Sequence, residues 1–339
     1  MPHMANTQTN DFSKGSVAGN ILRLALPMTV AQLINVLYSV VDRMYIGRLP
    51  DAAGNALTGL GLTFPILSIV TAFANLFGMG GSPLFSIQRG KGDRDRAQVI
   101  LGNTFALLVG TGVALTVVLL VLKRPLLYAF GASDATYPYA DGYLTIYLLG
   151  SVFVMISLGM NQFINAQGFG RTGMLTVLIG AVTNILLDPV FIFVLGMGVQ
   201  GAALATILSQ FLSAVWAVSF LRGKKALIRL EWGSMRLQPK LVWQIVSLGF
   251  SSFVMAITNS IVQVACNSTL QSFGGDLYVG VMTIINSVRE VVSTPINGVT
   301  SAAQPVMGFN YGAQEYRRVR SGIVFTTIVC IVYTTAVWL

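Results

Sequence analysis

Gln98-Val-Ile-Leu-Gly-Asn-Thr-Phe-Ala-Leu-Leu-Val-Gly-Thr-Gly-Val-Ala-Leu-Thr-Val-Val-Leu-Leu-Val-Leu122 is an unbroken run without a single charged side chain. A helix needs about 20 mainly apolar residues to cross the hydrocarbon core of a bilayer. This stretch meets that length, so it reads as a membrane span. Working outward, similar runs lie near 21–46, 57–88, 140–167, 173–196, 199–221, 241–271, 279–308 and 321–339. With 98–122 they make about nine expected spans.

The whole chain agrees with this reading. Hydrophobic residues make up 54% of the 339 positions and charged residues only 10%, with a mean hydropathy of +0.71. A soluble domain carries about 25% charged residues, and so few ions could not cover a water-facing surface of this size. Lipid removes that requirement. The fold class expected is therefore all-α and polytopic.

The net charge of +9 invites a nucleic-acid reading, but the placement of the charges answers it. Lys14, Arg23, Arg89, Lys91, Arg94, Arg96, Arg171, Arg222, Lys224, Lys225, Arg229, Arg236, Lys240, Arg317, Arg318 and Arg320 fall in the leading tail and the even-numbered loops. Only Arg43, Arg48, Lys123 and Arg124 fall on the other side. That asymmetry is the positive-inside pattern. It puts the N-terminus in the cytoplasm and excludes a nucleic-acid partner; the bilayer is the expected partner, and the plasma (inner) membrane the expected location. Cys266 and Cys330 both sit in apolar runs, so no disulfide framework is expected. His3 lies in a polar leader and receives no role.

The chain also echoes itself. Gly90-Lys-Gly-Asp-Arg-Asp-Arg-Ala97 follows the second span, and Asn310-Tyr-Gly-Ala-Gln-Glu-Tyr-Arg317 follows the eighth. Ile21-Leu-Arg-Leu-Ala-Leu-Pro27 and Trp243-Gln-Ile-Val-Ser-Leu-Gly249 open the first and seventh at nearly the same offset. An even number of spans between copies makes them cross in the same direction. The expectation is two parallel six-helix lobes related by a pseudo-two-fold axis along the membrane normal. The organisation that follows is a tail over 1–20, an N-terminal lobe over 21–222, an inter-lobe linker over 223–240 and a C-terminal lobe over 241–339. Only the first three helices of that last lobe would be present, with about three further spans outside the chain.

Asp42, Asp188, Arg289 and Glu290 are ionisable residues within spans. Each is costly at membrane depth unless paired, which makes it a functional candidate. Asp42 comes roughly 21 residues into span one, near its outer end, and Asp188 roughly 22 Å up span five. Thr206 lies roughly 10 Å below the outer surface, and Asn184 shares a helix face with Asp188. These four can occupy one layer. Two carboxylates, an amide oxygen and a hydroxyl are hard ligands suited to Na⁺, and two close carboxylates would equally share a proton. Pro189 deprives the Ile185 carbonyl of its helical partner, offering one more oxygen. Arg289 and Glu290 point about 100° apart on a helix, so ion pairs with other helices are the first expectation for them and a place in the central cavity wall the second. Tyr38, Met155, Met160 and Phe163 are candidates for an adaptable cavity wall.

Phe163-Ile-Asn-Ala-Gln-Gly-Phe-Gly-Arg-Thr-Gly173, Thr183-Asn-Ile-Leu-Leu-Asp-Pro-Val-Phe-Ile-Phe193, Gly196-Met-Gly-Val-Gln-Gly-Ala-Ala-Leu-Ala-Thr206 and Val41-Asp-Arg-Met-Tyr-Ile-Gly47 resemble the multidrug and toxic compound extrusion (MATE) family, most closely its DinF-like branch. The resemblance covers nearly the whole chain. It implies twelve helices in two lobes and a secondary active exporter that antiports organic cations or amphipathic drugs against H⁺ or Na⁺. It also implies that Asp42, Asn184, Asp188 and Thr206 couple the cation, that span one bends near Pro27, and that the carrier works as a monomer without other cofactors. Span seven carries no acid, unlike branches with coupling carboxylates in the second lobe.

Two other readings compete. A lipid-linked saccharide flippase needs cavity-facing cations for pyrophosphate, and only Arg289 is embedded. A non-transporting receptor has no use for paired acids in one layer. The sequence contains no nucleotide loop, metal-ligand spacing or nucleophile arrangement, so no enzyme is expected.

Overall fold

The computed structural model describes residues 10–48 and 53–338, and every regular element in them is helical. In order these are α1 (Val17–Ile46), α2 (Ala53–Gly90), α3 (Arg94–Ala129), α4 (Tyr137–Leu149), α5 (Ser151–Ala166), α6 (Gly170–Pro189), α7 (Gly198–Arg222), α8 (Pro239–Gly312) and α9 (Tyr316–Trp338). Among the described residues, seven helical stretches are long and apolar enough to cross a membrane, or eight if one bent pair is a single span.

The packing is that of a lipid-solvated bundle. Val113, Val117, Val121 and Leu122 of α3 are exposed, while Asn103, Thr104, Ser151, Ser157 and Gln167 are buried. Large apolar side chains face outward because lipid tails accept them, and small or polar groups let helices approach and hydrogen-bond. The main core lies among α2, α3, α4, α5 and α7 and includes the edge-to-face pair Phe85–Phe163, 5.3 Å between centroids.

The span expected at 140–167 is broken. α4 ends at Leu149, α5 begins at Ser151, and the two are bent by 55°. Gly150 sits at the corner, where a Cβ would run into the Ile207 side chain of α7. The corner thus needs glycine to reach α7.

The spans expected at 241–271 and 279–308 fall within a single element. The backbone between them stays helical, so α8 is one element of 74 residues. A straight helix of that length would extend roughly 110 Å, yet its two ends meet the same part of α2. Gly249 backs onto the Leu76 carbonyl and Gly312 onto the Ile87 carbonyl. Those two α2 positions are only about 16 Å apart along the helix. α8 must therefore double back. Its first arm runs antiparallel to α2, with Phe253 on Phe73 at 4.9 Å and Ile245 against Gly80. Its second runs parallel, with Gly308 near Pro83 and Gly312 at Ile87.

The expected tail over 1–20 is helical from Val17, and residues just before it are docked. Phe12 is fully buried and packs edge-to-face on Phe309 of α8 at 5.9 Å. The Asn10 amide donates to the Gly168 carbonyl at 3.0 Å. From α9, Arg318 donates to the Phe12 carbonyl at 3.0 Å and the Gly15 carbonyl at 2.9 Å. This short strap joins the α5–α6 corner to α8 and α9. His3 lies outside the described residues.

Candidate functional site

The site forms where α1, α4, α6 and α7 converge. α6 supplies Asn184 and Asp188, one turn apart and so on one face. Asn184 Nδ2 donates to Asp188 Oδ1 at 3.2 Å and reaches Thr206 Oγ1 of α7 at 3.4 Å. The Asp42 carboxyl of α1 stands close enough to Asp188 for direct interaction. Tyr45 packs edge-to-face on Phe193 at 6.2 Å, fixing the end of α1 against the chain that follows α6. The four residues that helical depth placed in one layer thus meet in space.

Asp188 is 0% and Asn184 1% exposed. Asn184 Oδ1 and Asp188 Oδ2 are buried and accept no hydrogen bond among the described residues. Unsatisfied buried acceptors are costly in a low-dielectric interior. Oxygens left this way beside a second carboxylate suit a proton or a hard cation. The set contains no sulfur or imidazole ligand, so Na⁺ fits its chemistry better than a transition metal.

Pro189 does not end the helix. The chain continues as a five-residue π-helical segment, Val190–Val194, in which the Leu195 amide donates to the Val190 carbonyl at 2.9 Å. Such wide turns disturb the regular ladder at functional positions, and this one begins two residues after Asp188. Pro27 lies inside α1, which remains helical through it. Gly170, at the start of α6, allows the close approach of the Pro27 ring.

Several expectations need correction. Met155, Met160 and Phe163 are fully buried in the α5 core rather than lining a cavity; they occupy the apolar face that α5 turns toward α2 and α3. Arg289 and Glu290 are exposed, and neither forms an ion pair within 4.0 Å among the described residues. In line with its second expectation, Glu290 lines a cleft of about 240 Å³ between α1 and α8, with Gln32, Asn35, Ser39, Ser293 and Asn297 among its neighbours. Tyr38 lies near both Asp42 and Asp188.

The structure adds residues that sequence reading passed over. Tyr143 of α4, 5% exposed, brings its hydroxyl close to Thr206 and the Asp42 carboxyl. Asn35 lines both the Glu290 cleft and a second polar pocket with Tyr38, Ser157, Asn161 and Gln210. α1 therefore forms a partition, with the acid cluster and polar pocket on one side and the interhelical cleft on the other.

The MatE family profile matches residues 27–190 and 251–339. The chain belongs to the MatE family. It is 24% identical to the Multidrug export protein MepA of Staphylococcus saprophyticus, over 98% of this chain and 75% of that protein. MepA of Staphylococcus aureus (strain NCTC 8325 / PS 47) gives 24% over 98% and 74%. A crystal structure of MATE in complex with MaL6 superposes with a TM-score of 0.91 at 25% identity, covering 98% of this chain and 73% of that one. A MOP superfamily transporter from Pyrococcus furiosus shares the fold with a TM-score of 0.89 at 24% identity, over 99% and 74%. This MatE chain is accordingly a multi-pass membrane transporter and not an enzyme.

Proposed function

We propose that the protein is a secondary active multidrug exporter that antiports organic cations or amphipathic drugs against H⁺ or Na⁺. The observation that carries this reading is the meeting of Asp42, Asn184, Asp188 and Thr206 inside the bundle, with two buried oxygens unsatisfied. Such a cluster binds a small cation readily. The multidrug export named for the MepA relatives supports the cargo class. Among the described residues, the one formal charge lining the α1–α8 cleft is the acid Glu290, which favours cationic cargo over the pyrophosphate of a lipid-linked saccharide. Absence of an acid in the first arm of α8 up to Gln263 fits coupling through the α1–α6 side, as in the DinF-like branch.

In the mechanism, cargo enters while the acids are charged. A proton or Na⁺ arriving from outside neutralises the Asp42–Asp188 pair, and the pull between α1 and α6 changes. α1 responds by bending near Pro27, which lacks an amide hydrogen and so has one fewer bond to break. Because α1 also walls the Glu290 cleft, its movement reshapes the cargo site. Neutralisation on one face is thereby felt on the other. The carrier works as a monomer in the plasma membrane, N-terminus inside, and needs no cofactor beyond the coupling ion.

The test is efflux of a fluorescent lipophilic cation from proteoliposomes, parent against Asp188→Asn, with Na⁺ and H⁺ gradients imposed separately. Transport by the parent under one gradient, lost in the variant, supports the reading and names the ion. Gradient-driven transport unchanged in a folded Asp188→Asn would remove the acid cluster from the mechanism.

A further inference from the structure

The segment between α7 and α8 was expected to be a linker, yet it is pinned along its length. Ala226, Ile228 and Leu230 alternate inward and are buried, while Lys225, Leu227 and Arg229 alternate outward. Two side-chain amides hold its backbone. Gln167 Oε1 accepts from the Leu227 and Ile228 amides at 2.8 and 3.0 Å, and Gln167 Nε2 donates to the Ile228 carbonyl at 3.2 Å. Farther on, Asn103 Nδ2 donates to the Ser234 and Arg236 carbonyls at 3.2 and 3.0 Å, while the Gln238 amide donates to Asn103 Oδ1 at 2.8 Å. Both amides are buried.

What this backbone displays is basic and amphipathic. Lys224, Lys225, Arg229, Arg236 and Lys240 are all exposed, with Glu231 the sole acid from 223 to 240, and none of the five bases is in an ion pair among the described residues. Trp232 and Trp243 are 69% and 72% exposed, and the Arg222 guanidinium lies 4.9 Å over the Trp232 ring. Exposed indoles beside bases mark the headgroup level of a bilayer. A shallow, open cleft of about 610 Å³ lies at the start of α8, lined by the exposed residues Arg236, Leu237, Gln238, Pro239 and Lys240. Both flanking helices are membrane-spanning in length and composition, so the cleft lies at the water–lipid boundary.

We propose that this cleft is a binding site for the headgroup of an anionic phospholipid. Arg236 and Lys240 take the phosphate, and Leu237 and Trp243 lie along the upper acyl chains. Topology alone requires basic residues near the membrane but no fixed geometry. Buried amides that hold the backbone under Arg236, and a cleft beside it, go beyond what orientation demands. A clustered set of bases against a span recognises acidic lipid.

The test uses the full chain in phosphatidylcholine nanodiscs with and without roughly 20% phosphatidylglycerol, read by retained lipid in native mass spectrometry and by Tm. The parent is expected to retain phosphatidylglycerol and to melt higher in its presence. The pair Arg236→Gln and Lys240→Gln should weaken retention roughly 30-fold, about fivefold per charge, whereas Arg236→Lys with Lys240→Arg should keep it. Lys91→Gln with Arg94→Gln, at the α2–α3 turn, serves as the control for charge alone. Equal loss in that control, undiminished retention in the glutamine pair, or the same Tm rise from inorganic phosphate without lipid would overturn the assignment.

Discussion

The guanidinium of Arg89 lies 4.9 Å from the centroid of the Phe12 ring. The Phe309 ring of α8, packed against Phe12, also lies 4.9 Å from it, and its Nη1 donates to the Ala166 carbonyl at 2.6 Å. One cation at the end of α2 therefore binds the strap, the α5–α6 corner and the second arm of α8 together. A planar guanidinium can stack on rings and donate at its edge at once, which an ammonium cannot.

Phe12→Ala should lower stability by about 3 kcal/mol, the range for removing a fully buried aromatic side chain. Thermal unfolding in a fixed detergent, compared with the parent, reads this directly. A change within error would mean the strap is not part of the cooperative fold.

The strap also has a defined response to pH. Asp11 accepts from the Ser13 hydroxyl at 2.6 Å and the Ser13 amide at 3.0 Å, and these bonds hold its carboxyl below the usual 3.8. A lowered folded value stabilises the fold above the unfolded value, and the gain is lost as pH falls through the folded one. The Asp11 contribution is thus constant from about pH 5 to pH 8. Asp11→Asn should lower Tm by the same small amount at both ends of that range. A difference that grows toward pH 8 would contradict this.

Gly249 provides a test of the close α2–α8 contact. A Cβ there would collide with the Leu76 carbonyl, as one at Gly80 would with the Ile245 carbonyl. Backbone cannot give way as a flexible side chain can, so Gly249→Ala should cost about 1–3 kcal/mol. Gly110→Ala, where nothing lies within 4 Å of the added carbon, is the control and should leave Tm unchanged or slightly raised. Equal behaviour of the two variants would place the α8 arm farther from α2 than the structure has it.

Most of the helical layout was legible because lipid imposes a simple demand: apolar length without charge, as in 98–122. The site quartet was legible for a related reason. Rise per residue converts position into depth, so Asp42, Asn184, Asp188 and Thr206 could be placed in one layer before any contact was known. Tyr143 was hidden because tyrosine is ordinary near membranes, and nothing in its neighbourhood distinguishes a site hydroxyl from a packing one. The roles expected of Met155, Met160 and Phe163 failed because side-chain chemistry does not say which face of α5 is covered.

The sequence by itself determined that this chain is a helical membrane protein, which way its charges bias it, and which polar groups share a depth. These follow from local composition and helical rise alone. Only the tertiary structure decided that α4 and α5 bend at Gly150, that α8 doubles back along α2, and that residues 223–240 are pinned by Gln167 and Asn103. Each of those depends on contacts between positions far apart in the chain, where a missing Cβ or one buried amide sets the path.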